Sequence, residues 1–377
     1  MANHKQHEFL LSEQLIYLNH AAVAPWPKRT SQAVIDFARQ NTTSGTKYYP
    51  EWLQKEKQIR LQLKSLINAP SVDDIALVKN TSEALSFVAY GLNWQDGENI
   101  VSSREEFPSN RIPWQSLINQ GVEFREADLS TSLSPEQALF YLVDRNTRLI
   151  TISSVQFATG LRMDLRQIGE FCKKHNILFC IDAIQSIGAV EFDVQEYQAD
   201  YVMADGHKWM LGPEGLGVFY TTPESRDKLE LTQFGWHMMA DIHNYENKPW
   251  KIHPTARRFE CGSPNMLGIH ALSASLSLLL EVGMAEVEQR VIANAEYLIE
   301  KIQQPSQLKL LSLADSNLKS GIVVFDHQTC GIAELFKHLQ ANDVMCALRG
   351  GGIRFSPHFY NSFDELDQAL AIAEYHP

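Results

Sequence analysis

The sequence predicts an α/β protein in which a mostly parallel sheet carries helices on both faces, with a smaller α/β domain at the C-terminal end. Two observations carry that prediction. From about residue 70 to residue 206, short apolar runs alternate with stretches of helical period, the signature of βαβ units and of strands buried on both sides. After about residue 222 the rhythm breaks, then resumes as long helices followed by short strands. A chain of 377 residues also exceeds what one core ordinarily covers.

Each element follows from local pattern. Beyond "IYLNHAAVAPWP", apolar residues at three- and four-residue spacing predict helices over about 28–42 and 51–68. "IALVK" (75–79) reads as a buried strand, "TSEALSFVAYGL" as a helix, "NIVSS" as a strand, and "SNRIPWQSLINQ" as a helix broken or started near Pro113. "VEFREA", a helix after "SLSPEQ", "RLITISSV", a helix from Asp164, "ILFCIDA" and "ADYVMA" continue the alternation. The stretch "FGWHMMADIHNYENKPWKIHPTARRFECGSPN" is irregular, and a loop that long is more often functional than idle. Helices are expected from about 266 to 304, strands near 308–311 and 321–326, a helix near 331–341, and strands flanking "RGGG". The division expected is 15–265 and 266–377, with residues 1–14 packing on the smaller part.

Composition narrows the function. Forty-five acidic against thirty-three basic residues, a net charge of -12, argue against recognition of a nucleic-acid backbone and favour a small-molecule partner. No apolar run reaches about 18 residues and no cleavable leader is visible, so neither a membrane span nor export is expected, and the location expected is cytoplasmic. The five cysteines are scattered without a CxxC pair, which predicts reduced thiols and no metal site.

Ligands of parallel sheets bind at the carboxyl ends of the strands. Phe107 follows "NIVSS", Gln156 follows "RLITISSV", Asp182 ends "ILFCID" and Lys208 follows "ADYVMA", so four candidates share one edge. In "KNTSEAL", Asn80, Thr81 and Ser82 open a helix, a position suited to phosphate or to a plain N-cap. Asp182 after an apolar strand needs a cationic partner, and Gln185 offers a neutral donor nearby; both also suit a helix cap. A lysine in an apolar cleft has a lowered pKa and can form a Schiff base. Lysine, carboxylate, phosphate donors and a stacking ring are the set that pyridoxal phosphate requires.

With those residues in place, the chain resembles the class V aminotransferase family of pyridoxal-phosphate enzymes, which includes cysteine desulfurases, selenocysteine lyases, kynureninases and isopenicillin-N-epimerase-like proteins. The resemblance runs from "YLNHAAVAP" to "RFSPHFYNSFDELD" and is most specific in "ADGHKWMLGPEGLGVFY". It implies the type I fold of pyridoxal-phosphate-dependent transferases. It also implies Lys208 as the Schiff-base lysine, His207 on the cofactor phosphate with Thr81 and Ser82, Asp182 on the pyridinium nitrogen and Gln185 on the ring oxygen. Phe107 takes the stacking position, where kynureninase-like members have phenylalanine and desulfurases histidine. Gln156 stands where many relatives have asparagine near the cofactor. Ser263, in "FECGSPN", matches a phosphate contact from the neighbouring subunit and so implies a homodimer. Arg354 matches the arginine that grips the substrate carboxylate, and His20, Trp236 and His237 are candidates for the substrate entrance or for ordinary packing. Arg349 precedes the triple glycine near the site. Asp205, an acidic residue where several relatives have serine, is left outside the site, and Arg257 and Arg258 read as a surface or interface cluster.

The resemblance also bears on the reaction. In desulfurases a loop cysteine shortly before the carboxylate-binding arginine attacks substrate sulfur; here that place falls within "GGGIR", and Cys346 lies earlier, within a strand. The reading is therefore an enzyme acting on a small α-amino acid, foremost a carbon-sulfur β-lyase without a desulfurase cysteine. Aminotransferase is the alternative, followed by epimerase and kynureninase-type hydrolase. A cofactor-free interaction protein retaining the fold is the different class, against which Lys208, Asp182 and Arg354 count.

Overall fold

The computed structural model describes residues 7–131, 134–242, 246, 249–312 and 320–374. The strands are β1 (Ile16–Tyr17), β2 (Ile75–Val78), β3 (Asn99–Ser103), β4 (Glu123–Ala127), β5 (Thr147–Ser153), β6 (Leu178–Asp182), β7 (Tyr201–Asp205) and β8 (Gly217–Thr221) in the first two-thirds of the chain. Strands β2 to β8 form a seven-stranded sheet in the order β2-β8-β7-β6-β5-β3-β4. All pairs from β3 to β7 are parallel, and β8 is antiparallel to both of its neighbours.

The sheet is covered on both faces, as the continuous apolar strands predict. Strands β3, β6, β7 and β8 are buried at every position. Side chains alternate between two clusters with the period of a pleated strand. Phe179, Ile181, Val202 and Ala204 join a cluster with the helices Tyr49–Leu66, Leu165–His175 and Met266–Val282. Cys180, Tyr201 and Met203 face the other way, against the helix Thr81–Gly91.

Strand β8 was not anticipated from the sequence. It follows β7 through the turn that carries Lys208, and with no crossover helix between them the two strands can only be antiparallel. The "SNRIPWQSLINQ" stretch forms short helical turns, Pro108–Asn110, Ile112–Gln115 and Ser116–Gln120, rather than one helix. Among the described residues between β8 and Met266 there are likewise only short turns, Pro223–Arg226, Trp236–Met238 and Ala256–Phe259. A buried ion cluster fastens this stretch to the large sheet: Arg60 pairs with Glu260 at 2.7 Å and with Glu56 at 2.8 Å.

Beyond the helices Met266–Val282 and Met284–Gln303 come β9 (Leu308–Leu310), β10 (Val323–His327), the helix Ile332–Ala341, β11 (Val344–Met345), β12 (Ala347–Arg349), β13 (Gly352–Phe355) and the helix Phe363–Glu374. Four of these strands form an antiparallel sheet, β12-β13-β10-β9. The opening of the chain returns to this region: β1 pairs with β11, Asn19 bridges to Ser356, and the Phe9 ring stacks on Tyr360 at 3.6 Å. Among the described residues no single helix is long and apolar enough to cross a membrane.

Strands β12 and β13 are joined by Gly350 and Gly351 alone, with Arg349 paired to Gly352. Both glycines have positive φ, +61° and +77°, as the tightest right-twisted hairpin requires. A side chain at Gly350 would also strike the Ala158 carbonyl oxygen, 2.2 Å from where its Cβ would stand.

Candidate active site

A cleft of about 250 Å³ opens at the carboxyl edge of the large sheet, where β3, β5, β6 and β7 end. Phe107, Phe157, Asp182, Gln185, Asp205, His207 and Lys208 line it from that edge. Thr81 and Ser82 enter from the helix after β2, Ala21 and Ala22 from the opening segment, and Arg349 and Arg354 from the smaller sheet.

Lys208 sits on a turn held by the bond from Leu211 N–H to its own carbonyl, with Leu211 forced to a φ of +60°. Its side chain is buried, and its amine lies 5.6 Å from the centre of the Phe107 ring. Burial holds that amine below the usual lysine range, at about 8, against the pull of Asp182. Asp182 is buried as well and accepts one bond, from Ile184 N–H at 3.1 Å. Burial, then the neighbouring Glu106, push its carboxyl up to about 7.

Several groups around the cleft are buried without a hydrogen-bond partner. Thr81 Oγ1 is one, at the first position of its helix, where Asn80 caps the Glu83 amide and leaves those of Thr81 and Ser82 to an incoming anion. His207 Nδ1 is another: it lies 3.3 Å from Asp205 Oδ1 but without hydrogen-bond alignment. Arg354 is 2% exposed; it donates to the Phe157 carbonyl at 2.7 Å and has no partner for Nε. Burial, then Arg349, lower its pKa to about 10. Unpaired polar atoms at nine-tenths burial are costly, so a cleft that collects them is built for a polar, anionic occupant. That donor set fits a phosphorylated ring with a carboxylate-bearing substrate beside it.

The other candidates fall in different places. Gln185 lines the cleft with its amide orientation fixed: Oε1 accepts from Trp209 Nε1 at 2.8 Å, and Nε2 donates to the Ala21 carbonyl at 3.0 Å. Ser82 is exposed and bonds Ser109 at 2.9 Å. Phe107, 38% exposed, meets Phe157 edge to face. Gln156 is not among the lining residues; its amide donates to Glu106 at 2.8 Å inside the protein. His20 is absent from the lining as well, being fully buried between the Ser356 carbonyl and the Tyr360 hydroxyl. Ser263 is exposed on a separate groove formed with Lys79, Glu83 and Asn265. His237 is buried beside Arg257 and Glu260 rather than at the cleft.

Asp205 corrects the sequence reading in the other direction, since it lines the cleft. Its Oδ1 accepts from Gly206 N–H at 2.8 Å, which turns the carboxylate onto its own backbone. Its place at the end of β7, matching that of Asp182 at the end of β6, was the signal available. No cysteine lines the cleft among the described residues. Cys346 is buried in the core of the smaller domain, its thiol pushed up to about 12 by burial.

The model of the family "Aminotransferase class-V" matches residues 16–368 of this chain. A probable cysteine desulfurase of Methanothermobacter thermautotrophicus is 29% identical, with 93% of this chain and 92% of the relative covered. Another from Pyrococcus abyssi is 29% identical over 97% and 94%. Among solved structures, the apo cysteine desulfurase of Thermococcus onnurineus NA1 superposes with a TM-score of 0.87 at 23% identity, covering 98% and 96%. The cystine C-S lyase C-DES, in complex with its reaction product cysteine persulfide, gives 0.88 at 21%, covering 97% and 99%.

Proposed function

The chain belongs to the class V aminotransferase family of pyridoxal-phosphate enzymes, and from that premise we propose that it is a carbon-sulfur β-lyase acting on cysteine-derived amino acids. The observation that carries this reading is the two-residue turn between β12 and β13. A desulfurase needs a thiol on a loop ahead of the carboxylate-binding arginine; here the chain passes from Arg349 to Gly352 through glycine alone, and Cys346 is buried and held protonated. The reading thus departs from the names of the two desulfurase relatives at the one group their chemistry adds.

When bound, the cofactor draws electrons from the substrate α-carbon through its ring. Thr81, Ser82 and His207 would hold its phosphate, Asp182 its ring nitrogen, Gln185 its ring oxygen and Phe107 its face. Lys208 would hold the cofactor through its aldehyde, and its amine would serve as the base for the α-proton; a depressed pKa keeps a usable fraction neutral near pH 8. Arg354 holds the α-carboxylate through its fork, which orients the α-hydrogen toward Lys208. The net reaction takes up one water and yields a thiol, pyruvate and ammonium. Arg349 is exposed at the cleft and bonds the Leu348 carbonyl, so a substrate with a second carboxylate beyond its sulfur, as cystine has, meets a second cation. We place Ser263 on the phosphate of a second copy, which makes the working unit a homodimer.

The test is product analysis. Protein loaded with pyridoxal phosphate is given cystine or S-methylcysteine, and pyruvate, thiol or persulfide, alanine and the pyridoxamine form of the cofactor are assayed together. Equal amounts of pyruvate and sulfur product, unchanged in Cys346→Ser, are expected. Alanine with protein-bound persulfide would overturn the reading in favour of a desulfurase, and accumulation of the pyridoxamine form would make the protein an aminotransferase.

A further inference from the structure

Glu106 is a buried carboxylate that the chemistry above leaves unused. It is 4% exposed, and among the described residues no lysine, arginine or histidine pairs with it. Four donors surround it instead. Oε1 accepts from Ser153 N–H at 2.7 Å and from Gln156 Nε2 at 2.8 Å, while Oε2 accepts from Ser153 Oγ at 2.5 Å and from Asn110 Nδ2 at 2.8 Å. The Asn110 amide cannot be turned round, because its Oδ1 already accepts from Trp114 Nε1 and Thr151 Oγ1. Three N–H groups and a short O–H contact around two oxygens favour the ionised, acceptor-only form, against the burial that pushes the Glu106 carboxyl up.

The position of this charge gives it a use. Ser153, which bonds Glu106 twice, lies directly opposite Asp182 in the pairing of β5 with β6, one strand spacing of about 4.8 Å away. Glu106 also immediately precedes Phe107 and so braces the segment that bears the stacking ring. We propose that Glu106 is a positioning residue for the cofactor ring nitrogen, an ionised carboxylate behind Asp182 whose negative field keeps a proton on that nitrogen. The proposal rests on the reading that Asp182 is the nitrogen's partner.

The physical argument is one of like charges. A protonated ring nitrogen is the stronger electron sink, and Asp182 keeps it protonated only as an anion facing a cation. A second buried anion raises the proton affinity of the Asp182–nitrogen pair as a whole, as two carboxylates in one site do. Burial together with Glu106 already pushes the Asp182 carboxyl upward when no ring is present. The other charges facing Asp182 are Lys208 and Asp205 from the end of β7, with Arg349 and Arg354 acting on Lys208 from the smaller sheet. The two carboxylates whose field falls on Asp182 are Glu106 and Asp205. Of these two, Asp205 has turned one oxygen onto Gly206. Gln156 then acquires a role consistent with its place: it orders the anion rather than touching the cofactor.

The experiment follows the ring nitrogen itself. Holoenzyme reconstituted with pyridoxal phosphate labelled with 15N in the ring is titrated by NMR, which reads the protonation of that atom directly. In Glu106→Gln, shape is kept and charge removed, and the proton should leave at a pH lower by about one unit, with cofactor content retained. Gln156→Lys keeps Glu106 but neutralises it with an adjacent ammonium; it should move the titration in the same direction and stands in should Glu106→Gln not fold. Either variant, folded and loaded yet titrating as the parent does, overturns the proposal and leaves Glu106 a brace alone. Asp182→Asn separates the premise: if it does not lower the nitrogen's proton affinity, the assignment of Asp182 fails, whereas a loss there beside unchanged Glu106 and Gln156 variants refutes only the role of Glu106.

Discussion

Two clusters of buried polar residues lie within the length of a few side chains of each other, and they are opposite in kind. Around Lys208, Thr81 Oγ1, His207 Nδ1 and Arg354 Nε are buried with no partner. Around His20 every ring nitrogen is engaged: Nδ1 donates to the Ser356 carbonyl at 2.9 Å and Nε2 accepts from the Tyr360 hydroxyl at 2.6 Å. His358 repeats the pattern, Nδ1 accepting from Phe359 N–H at 2.8 Å and Nε2 donating to the Trp209 carbonyl at 3.0 Å. Burial holds both rings neutral. A polar group that has already found its partner inside the protein contributes packing, and one left waiting marks a place for something else. Trp209 joins the two clusters, its carbonyl bonded to His358 and its indole N–H to Gln185.

That contrast is broken most severely at Lys208. Lys208→Ala should lower turnover by on the order of 10³-fold, measured as pyruvate release, because aldehyde capture and proton removal go with one amine. The same residue sharpens it through pH. Only the neutral amine attacks the aldehyde, so cofactor capture by the unloaded protein should quicken as pH rises through about 8, where an ordinary lysine would require about 10; stopped-flow absorbance reads this, and a rate that climbs only near 10 would show an unshifted lysine.

Arg354→Met should cost about 10²-fold in kcat/KM, mostly through KM, as the carboxylate loses its fork. Its effect on stability should have the opposite sign: removing a buried cation with no counter-ion among the described residues should leave the unloaded protein as resistant to urea or more so. A large loss of stability would instead mean that Arg354 is a structural residue. His20→Phe should behave as the mirror image. It strands the Tyr360 hydroxyl and should lower unfolding free energy by about 1–3 kcal/mol, while turnover below the transition stays within about twofold. A selective loss of turnover would return His20 to the site.

Much of this was legible in the chain, for identifiable reasons. The alternation of apolar runs with helical stretches located β3 to β7 because each of those strands is buried on both faces, and the strand-end rule then placed Phe107, Asp182 and Lys208 on one edge. What escaped was set by distant partners. Strand β8 hides behind a glycine-rich turn that reads as loop, and the two-residue β1 exists only because Val344 and Met345 are there to pair with it. His20 and His207 are alike as residues, and only the positions of Tyr360 and Ser356 in space tell them apart. Gln156 sat on the correct edge, but a neighbouring carboxylate captured its amide. Ser263 faces solvent on a separate groove of this chain.

The return of the opening segment to the far end of the chain bears on how the protein is made. Ala21 supplies a wall of the cleft and the carbonyl that fixes Gln185, yet it is itself fastened by Ser356, whose hydroxyl accepts the Ala21 amide at 3.0 Å. A nascent chain leaves the ribosome from its N-terminal end, so this segment must wait for its Ser356 partner until some 335 residues beyond Ala21 have been synthesised. Contacts so distant in sequence form late and slowly. The pocket is therefore completed only once the segment that carries Ser356 has been made and folded back onto Ala21.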